Sequence, residues 1–207
     1  MRKLTSLGQN IERVLIDSQS EPIDISRDLF ANTWNDRELA IRLEIMKDLR
    51  QPKEHHPEGD VLTHTNKVLN YIHDEWIFEY ENPSYYPQLI MAGFLHDFGK
   101  IDTFKEENGK ITFVGHDKES VKYASYFLGS CGFSYEFTKT VLYLIENHMR
   151  IASFIDMGDK KRDKFLKDEH FLELLKLHEA DCMSSSGDLK NLKYIRAYMV
   201  RKEGKIK

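Results

Sequence analysis

The sequence predicts an all-α protein, a helical bundle carrying one short β-hairpin or extended loop near residues 103–114. Apolar side chains recur at helical spacing in one segment after another. Prolines and glycines gather between those segments, as in Gln51-Pro-Lys-Glu-His-His-Pro-Glu-Gly59, where a helix cannot continue. Strand signal is confined to Ile111-Thr112-Phe113-Val114, too little for a sheet core.

In chain order, residues 9–18 carry Ile11, Val14 and Leu15 at helical spacing. Residues 36–50 carry Leu39, Leu43 and Met46 beside Ile41, Ile45 and Leu49, so residues 1–50 read as a helical N-terminal extension. A new helix is expected from Asp60, whose carboxylate serves as N-cap, with Val61, His64, Val68 and Ile72 on one face. After a turn at Asn82 to Pro87, residues 88–97 form the most apolar stretch and predict a buried helix, with Gly99 as its C-terminal cap. The Glu-Glu-Asn-Gly-Lys run inside 103–114 marks the hairpin turn. Helices are then expected near 117–129, 133–149, 168–182 and 188–201. The expected organisation is the extension, a central domain over 51–187, and a C-terminal helix over 188–207 packed on that domain.

A chain of 207 residues can bury a sizeable core. With 41% hydrophobic and 31% charged residues it is ordinary for a globular protein. A net charge of -4 gives no advantage for long duplex nucleic acid, which is bound by neutralising many phosphates. Cys131 and Cys182 lack C-x-x-C spacing, so neither a thiolate zinc site nor a disulfide framework is expected. Met1-Arg2-Lys3 is followed by no apolar run, and no stretch approaches the roughly 20 residues of a membrane helix. A cytoplasmic protein is expected, without a membrane partner.

The helix phases put polar groups on core-facing stripes. His64 shares a face with Val61 and Val68, His148 with Val141 and Ile145, and Asp181 with Leu174 and His178. His96-Asp97 closes the most apolar segment. Buried imidazoles and carboxylates are costly unless they satisfy one another or hold a cation. Imidazole with carboxylate, and no thiolate, suits Mn, Fe, Ni, Co or Zn in an open site. His64, His96, Asp97 and Asp181 could hold one ion, and a second could share Asp97 and take His116 and His148.

In order, His64, His96-Asp97 and Asp181 follow the H…HD…D pattern, and the chain thereby resembles the HD superfamily of metal-dependent phosphohydrolases. Its runs His55-His56-Pro57-Glu58-Gly59-Asp60-Val61, Thr63-His64-Thr65, Leu95-His96-Asp97-Phe98-Gly99-Lys100, Gly115-His116-Asp117-Lys118-Glu119-Ser120, Asn147-His148-Met149 and His178-Glu179-Ala180-Asp181-Cys182 are similar to the HD module of bacterial tRNA nucleotidyltransferases. The nucleotide-transferring head of those enzymes has no counterpart here, so CCA addition is not implied. The resemblance implies an HD fold with one or two divalent ions (Mn, Ni, Fe, Co, Mg or Zn). It also implies metal-activated hydrolysis of a phosphoester on a nucleotide or an RNA 2′,3′-cyclic end. Asp97 and Lys100 are the residues expected to act in catalysis, Lys100 by steadying a phosphate oxygen. The alternatives are a nucleotidase, an alarmone-type nucleotide hydrolase, or a non-catalytic nucleotide-binding regulatory module. The expected partner is a small phosphorylated substrate, and a homodimer is compatible with the sequence.

Other polar and aromatic groups have plainer readings. His178 is expected to hydrogen-bond Asp181 at i, i+3, and His55 and His56 to support the first ligand helix. His73 and His170 read as support or surface, and Tyr80, Tyr85 and Tyr86 as packing or base-stacking groups. Lys160-Lys161-Arg162 with Lys164 reads as a solvated basic patch.

Overall fold

The structure, a computed structural model, describes residues 3–18, 24–33, 36–79 and 85–203; Tyr80 and part of the expected turn at 82–87 lie outside the described residues. The elements are α1 (Ser6–Asp17), α2 (Ile25–Thr33), α3 (Arg37–Asp48), α4 (Val61–Glu79), α5 (Tyr86–Leu95), α6 (Lys100–Thr103), β1 (Lys105–Glu107), β2 (Lys110–Thr112), α7 (His116–Cys131), α8 (Tyr135–Ala152), α9 (Asp159–Phe165), α10 (Phe171–Ser184) and α11 (Lys190–Glu203), with a 3-10 turn at Phe154–Asp156. The fold is all-α apart from one hairpin, as the sequence predicts.

The hairpin pairs Lys105 with Thr112 and Glu107 with Lys110. Asn108 and Gly109 at its tip have φ of 53° and 76°, the left-handed pair that a two-residue turn requires and that Asn-Gly supplies at little cost.

Helix α5 lies at the centre, packed against α4, α8 and α10. Leu89, Ile90, Met91, Ala92, Phe94 and Leu95 are fully buried along it, because a helix apolar all round can only sit inside a core. Helices α4 and α10 pack together, α7 packs on α8, and α8 on α10. The N-terminal helices join the same core: Ile11, Leu15, Ile25, Leu29, Leu39, Leu43 and Met46 belong to one cluster with Leu95, Ile145 and Leu177. At the other end, Ile195 and Tyr198 of α11 enter it too.

Of the two apolar rows expected on α3, only Leu39, Leu43 and Met46 face inward; Ile41 and Ile45 are 51% and 42% exposed. Three helices were not anticipated. Over α2 only Ile25 and Leu29 are strong apolar residues at helical spacing, α6 has a single turn, and α9 (DKKRDKF) offers Phe165 alone to the core. Helices this short or this polar carry no periodic signal and are held by their neighbours.

The other correction concerns Gly99. Helix α5 runs from Tyr86 to Leu95, not over 88–97, and His96 to Gly99 form a turn leading directly into α6. Gly99 has φ -69°, so it is no left-handed cap. A Cβ there would lie 2.1 Å from the His116 carbonyl oxygen and 2.5 Å from Ser120 N, which no side chain tolerates. Glycine therefore lets the turn press against the start of α7.

Candidate metal centre

His64 projects from the first turn of α4. Asp60 caps that helix as expected, accepting from Thr63 N at 2.7 Å. His96 and Asp97 occupy the turn after α5, which α7 clamps: the Ser120 hydroxyl accepts from Gly99 N at 2.8 Å and donates to the His96 carbonyl at 2.6 Å. Phe98, buried between Phe94 and Tyr123 with ring centroids 5.3 and 5.0 Å away, anchors the same turn, and burying such a side chain contributes about 1.5–3 kcal/mol. His116 opens α7, His148 lies on the buried stripe of α8 with Val141 and Ile145, and Asp181 lies on α10.

Three sets of ligand-type atoms gather within 4.8 Å: His56, Glu58 and His64 beside the centre, and within it His64, His96 and Asp181, and Asp97, His116 and His148. Asp97 stands between the last two. Its Oδ2 is 3.4 Å from His96 Nε2 and 3.7 Å from His64 Nε2, and its Oδ1 is 3.5 Å from His116 Nε2. The structure thus brings together all six side chains that the sequence singled out as ligands.

All four imidazoles are fixed the same way round. His96 Nδ1 donates to the Gly93 carbonyl at 2.8 Å, His116 Nδ1 to Phe113 at 2.9 Å and His148 Nδ1 to Ile145 at 2.6 Å. His64 Nδ1 donates to Glu58 Oε1 at 2.8 Å. A carbonyl only accepts, so His96, His116 and His148 carry a proton on Nδ1 and turn Nε2 inward, and the Glu58 carboxylate holds a His64 proton on Nδ1 in the same way. His116 Nε2 and His148 Nε2 then face each other at 3.2 Å, a repulsive meeting unless a cation or proton sits between them. His64 Nε2, His96 Nε2 and Asp97 Oδ2 are buried without a hydrogen bond. Asp181 Oδ1 stands 3.1 Å from His64 Nε2, and Lys100 Nζ is 2.7 Å from Asp97 Oδ2 as an ion pair. Buried polar atoms in this state call for a partner, and a cation suits this set of lone pairs.

The electrostatics agree. Burial opposes ionisation of Asp97, but the imidazoles around it and the Lys100 ammonium outweigh it and hold the carboxyl well below the usual range. Asp181 is held low in the same way, mainly by His64. Burial pulls His64 down, yet Asp181 and Glu58 prevail and push it up to about 9. Burial lowers His96, and burial beside two further imidazoles takes His148 down to about 4, so both rings are neutral donors of an electron pair.

Lys100 reaches the centre but is not free. It is 6% exposed, and its ammonium donates to Gln51 Oε1 at 2.7 Å beside Asp97. Contrary to the expectation from the i, i+3 spacing, His178 does not bond Asp181; its Nε2 accepts from Asn191 of α11 at 2.9 Å, because Asn191 is wedged between α10 and the Ile151 carbonyl of α8. His56 bonds Glu58 at 2.8 Å, and the His55 carbonyl accepts from Ser186 N, tying the loop to the end of α10. His73 bonds the Tyr86 hydroxyl, and Tyr86 is fully buried, which removes it as a base platform. Tyr85 packs edge-on against His170. Arg162 is no solvated charge: it donates to the carbonyls of Phe154 and Ile155 and covers the rings of Tyr194 and Tyr198.

Sequence reasoning did not single out Glu58, Gln51 or Ser120 as site residues. The first two lie in an irregular loop where no periodicity reports which way a side chain points. Their signal was their place just ahead of a helix that opens on a ligand.

Against known families, the HD domain model matches residues 61–184. No curated protein matches the chain, so the narrower likeness to the tRNA nucleotidyltransferase module gains no support there.

Proposed function

The chain belongs to the HD domain family, and from that premise we propose that it is a metal-dependent phosphohydrolase. The observation that carries this reading is the convergence of four imidazole Nε2 atoms, each fixed through Nδ1, on the carboxylates of Asp97 and Asp181. The donor set fits a divalent ion of the Mn, Fe, Co, Ni or Zn type. His64, His96, Asp97 and Asp181 would hold one ion, and Asp97, His116 and His148 a second.

Ions held there would supply water activation and neutralisation of phosphate charge. The chain supplies the rest. Asp97, with an oxygen toward each histidine set, holds the two halves in register. Lys100, locked by Gln51, keeps the Asp97 charge compensated and stands where a phosphate oxygen reaching Asp97 would meet its ammonium. Asp181 is 30% exposed and His116 11%, while His64, His96 and Asp97 are sealed, so substrate approaches from the Asp181 and His116 side. No side-chain nucleophile is called for. Burial pushes the nearby Cys182 thiol up to about 12, which leaves it inert.

The proposed substrate is a phosphoester of a nucleotide or of an RNA 2′,3′-cyclic end. That narrower reading rests on the motif likeness around His55 to Val61 and Leu95 to Lys100. Purified protein loaded with Mn(II) or Ni(II) is expected to open 2′,3′-cyclic nucleotides, with turnover lost in Asp97→Ala and in chelator. Binding without turnover across a nucleotide panel and every divalent metal tried would refute the enzymatic reading.

A further inference from the structure

Glu58 is a buried acid that the ligand set does not use. It lies in the loop between α3 and α4, its side chain has no exposed surface, and its Oε1 accepts from His64 Nδ1 and His56 Nδ1, both at 2.8 Å. Its Oε2 is buried with no partner. A carboxylate so enclosed relies on these two imidazole N–H groups to replace lost water, so its grip on both is strong. His56, 16% exposed and edge-on to the His64 ring at 4.9 Å, covers the pair from solvent.

The other three rings lean on backbone carbonyls of their own chain neighbourhood, at i-3 in each case. His64 alone depends on a side chain, and that side chain comes from a loop outside its helix. The loop is pinned at several points: Gln51 N donates to the Gly59 carbonyl at 3.2 Å, Gly59 N to His56 at 3.2 Å, and Ser186 N to His55 at 2.9 Å. Held there, Glu58 cannot follow solvent.

We propose that Glu58, shielded by His56, is the positioning residue that fixes the His64 tautomer and orientation and so sets the affinity of the His64, His96 and Asp181 side of the centre for its ion. A carboxylate on Nδ1 keeps the proton there, leaves Nε2 for the metal and makes that nitrogen more basic. This rests on the metal reading above and adds a determinant that touches neither ion nor substrate.

The test is zinc binding by calorimetry on the full chain, wild type against Glu58→Gln and Glu58→Ala. Glu58→Gln keeps an acceptor and loses the charge, and is expected to weaken zinc about 10–100-fold, the usual effect of losing such a partner; Glu58→Ala is expected to weaken it further. Equal affinity in wild type and both variants overturns the proposal while leaving the metal reading intact. No zinc uptake by the wild type overturns the metal reading, and the proposal falls with it. Should the variants fail to fold, ring nitrogen shifts of zinc-loaded wild-type protein decide: His64 is expected protonated at Nδ1 and coordinated at Nε2, and coordination through Nδ1 would overturn the proposal.

Discussion

Replacing Asp97 by alanine in metal-free protein tests how the centre is held together without its ion. Asp97 is 2% exposed and stands 2.7 Å from the Lys100 ammonium, itself 6% exposed. Removing one partner of a buried pair strands the other charge at a cost of about 3–5 kcal/mol. Two features bring the figure toward the lower end. Gln51 still accepts one ammonium hydrogen bond, and Asp181 loses a repulsive neighbour. A loss of about 3 kcal/mol is therefore expected for Asp97→Ala. In Asp97→Ala with Lys100→Met the stranded charge is gone and a flexible apolar chain fills its place, so about 2 kcal/mol or more should return. Urea unfolding of wild type, Asp97→Ala, Lys100→Met and the double variant in chelator, followed by circular dichroism, measures this, with midpoints differing by about 1–2 M for a slope near 2 kcal/mol/M. If the double variant proves no more stable than Asp97→Ala, the Lys100 ammonium is not held by Asp97 and its placement has been misread.

Metal uptake at pH 7 should release about one proton, because His64 is held up to about 9 and is protonated in the empty site while His96 and His148 are lowered and already neutral. The sign follows: affinity rises with pH toward about 9 and then levels, which calorimetry in buffers of different ionisation heat will detect. Gly99→Ala should cost about 1–3 kcal/mol or more by overpacking against the His116 carbonyl and Ser120 N, and should weaken metal binding as α7 shifts; thermal melts with and without metal report both. Arg162→Ala should cost about 1–3 kcal/mol by freeing the carbonyls of Phe154 and Ile155, with metal affinity unchanged.

The long helices and the ligands were legible because periodicity reports which face a residue occupies. His64, His148 and Asp181 each share a stripe with Val, Ile or Leu, and a helix phase alone turns them inward. His96 and Asp97 were legible by contrast, as polar residues closing an apolar run. The Asn108-Gly109 hairpin could be read from turn chemistry. What escaped has no period. Short helices such as α2 and α9 exist because neighbours hold them, and Glu58 and Gln51 act from a loop whose path depends on contacts with α6 and α10. Gly99 was read as a cap because sequence shows a glycine's freedom but not its neighbours; the reason for it is the carbonyl of His116, 17 positions away in the chain.

Anomalous scattering from a crystal soaked in zinc or manganese locates the ion directly. A peak is expected at about 2.0–2.2 Å from His64 Nε2, His96 Nε2 and a carboxylate oxygen of Asp97 or Asp181. An ordered centre without a peak at ion concentrations well above those of a catalytic site, or an ion held only by surface groups, would contradict it.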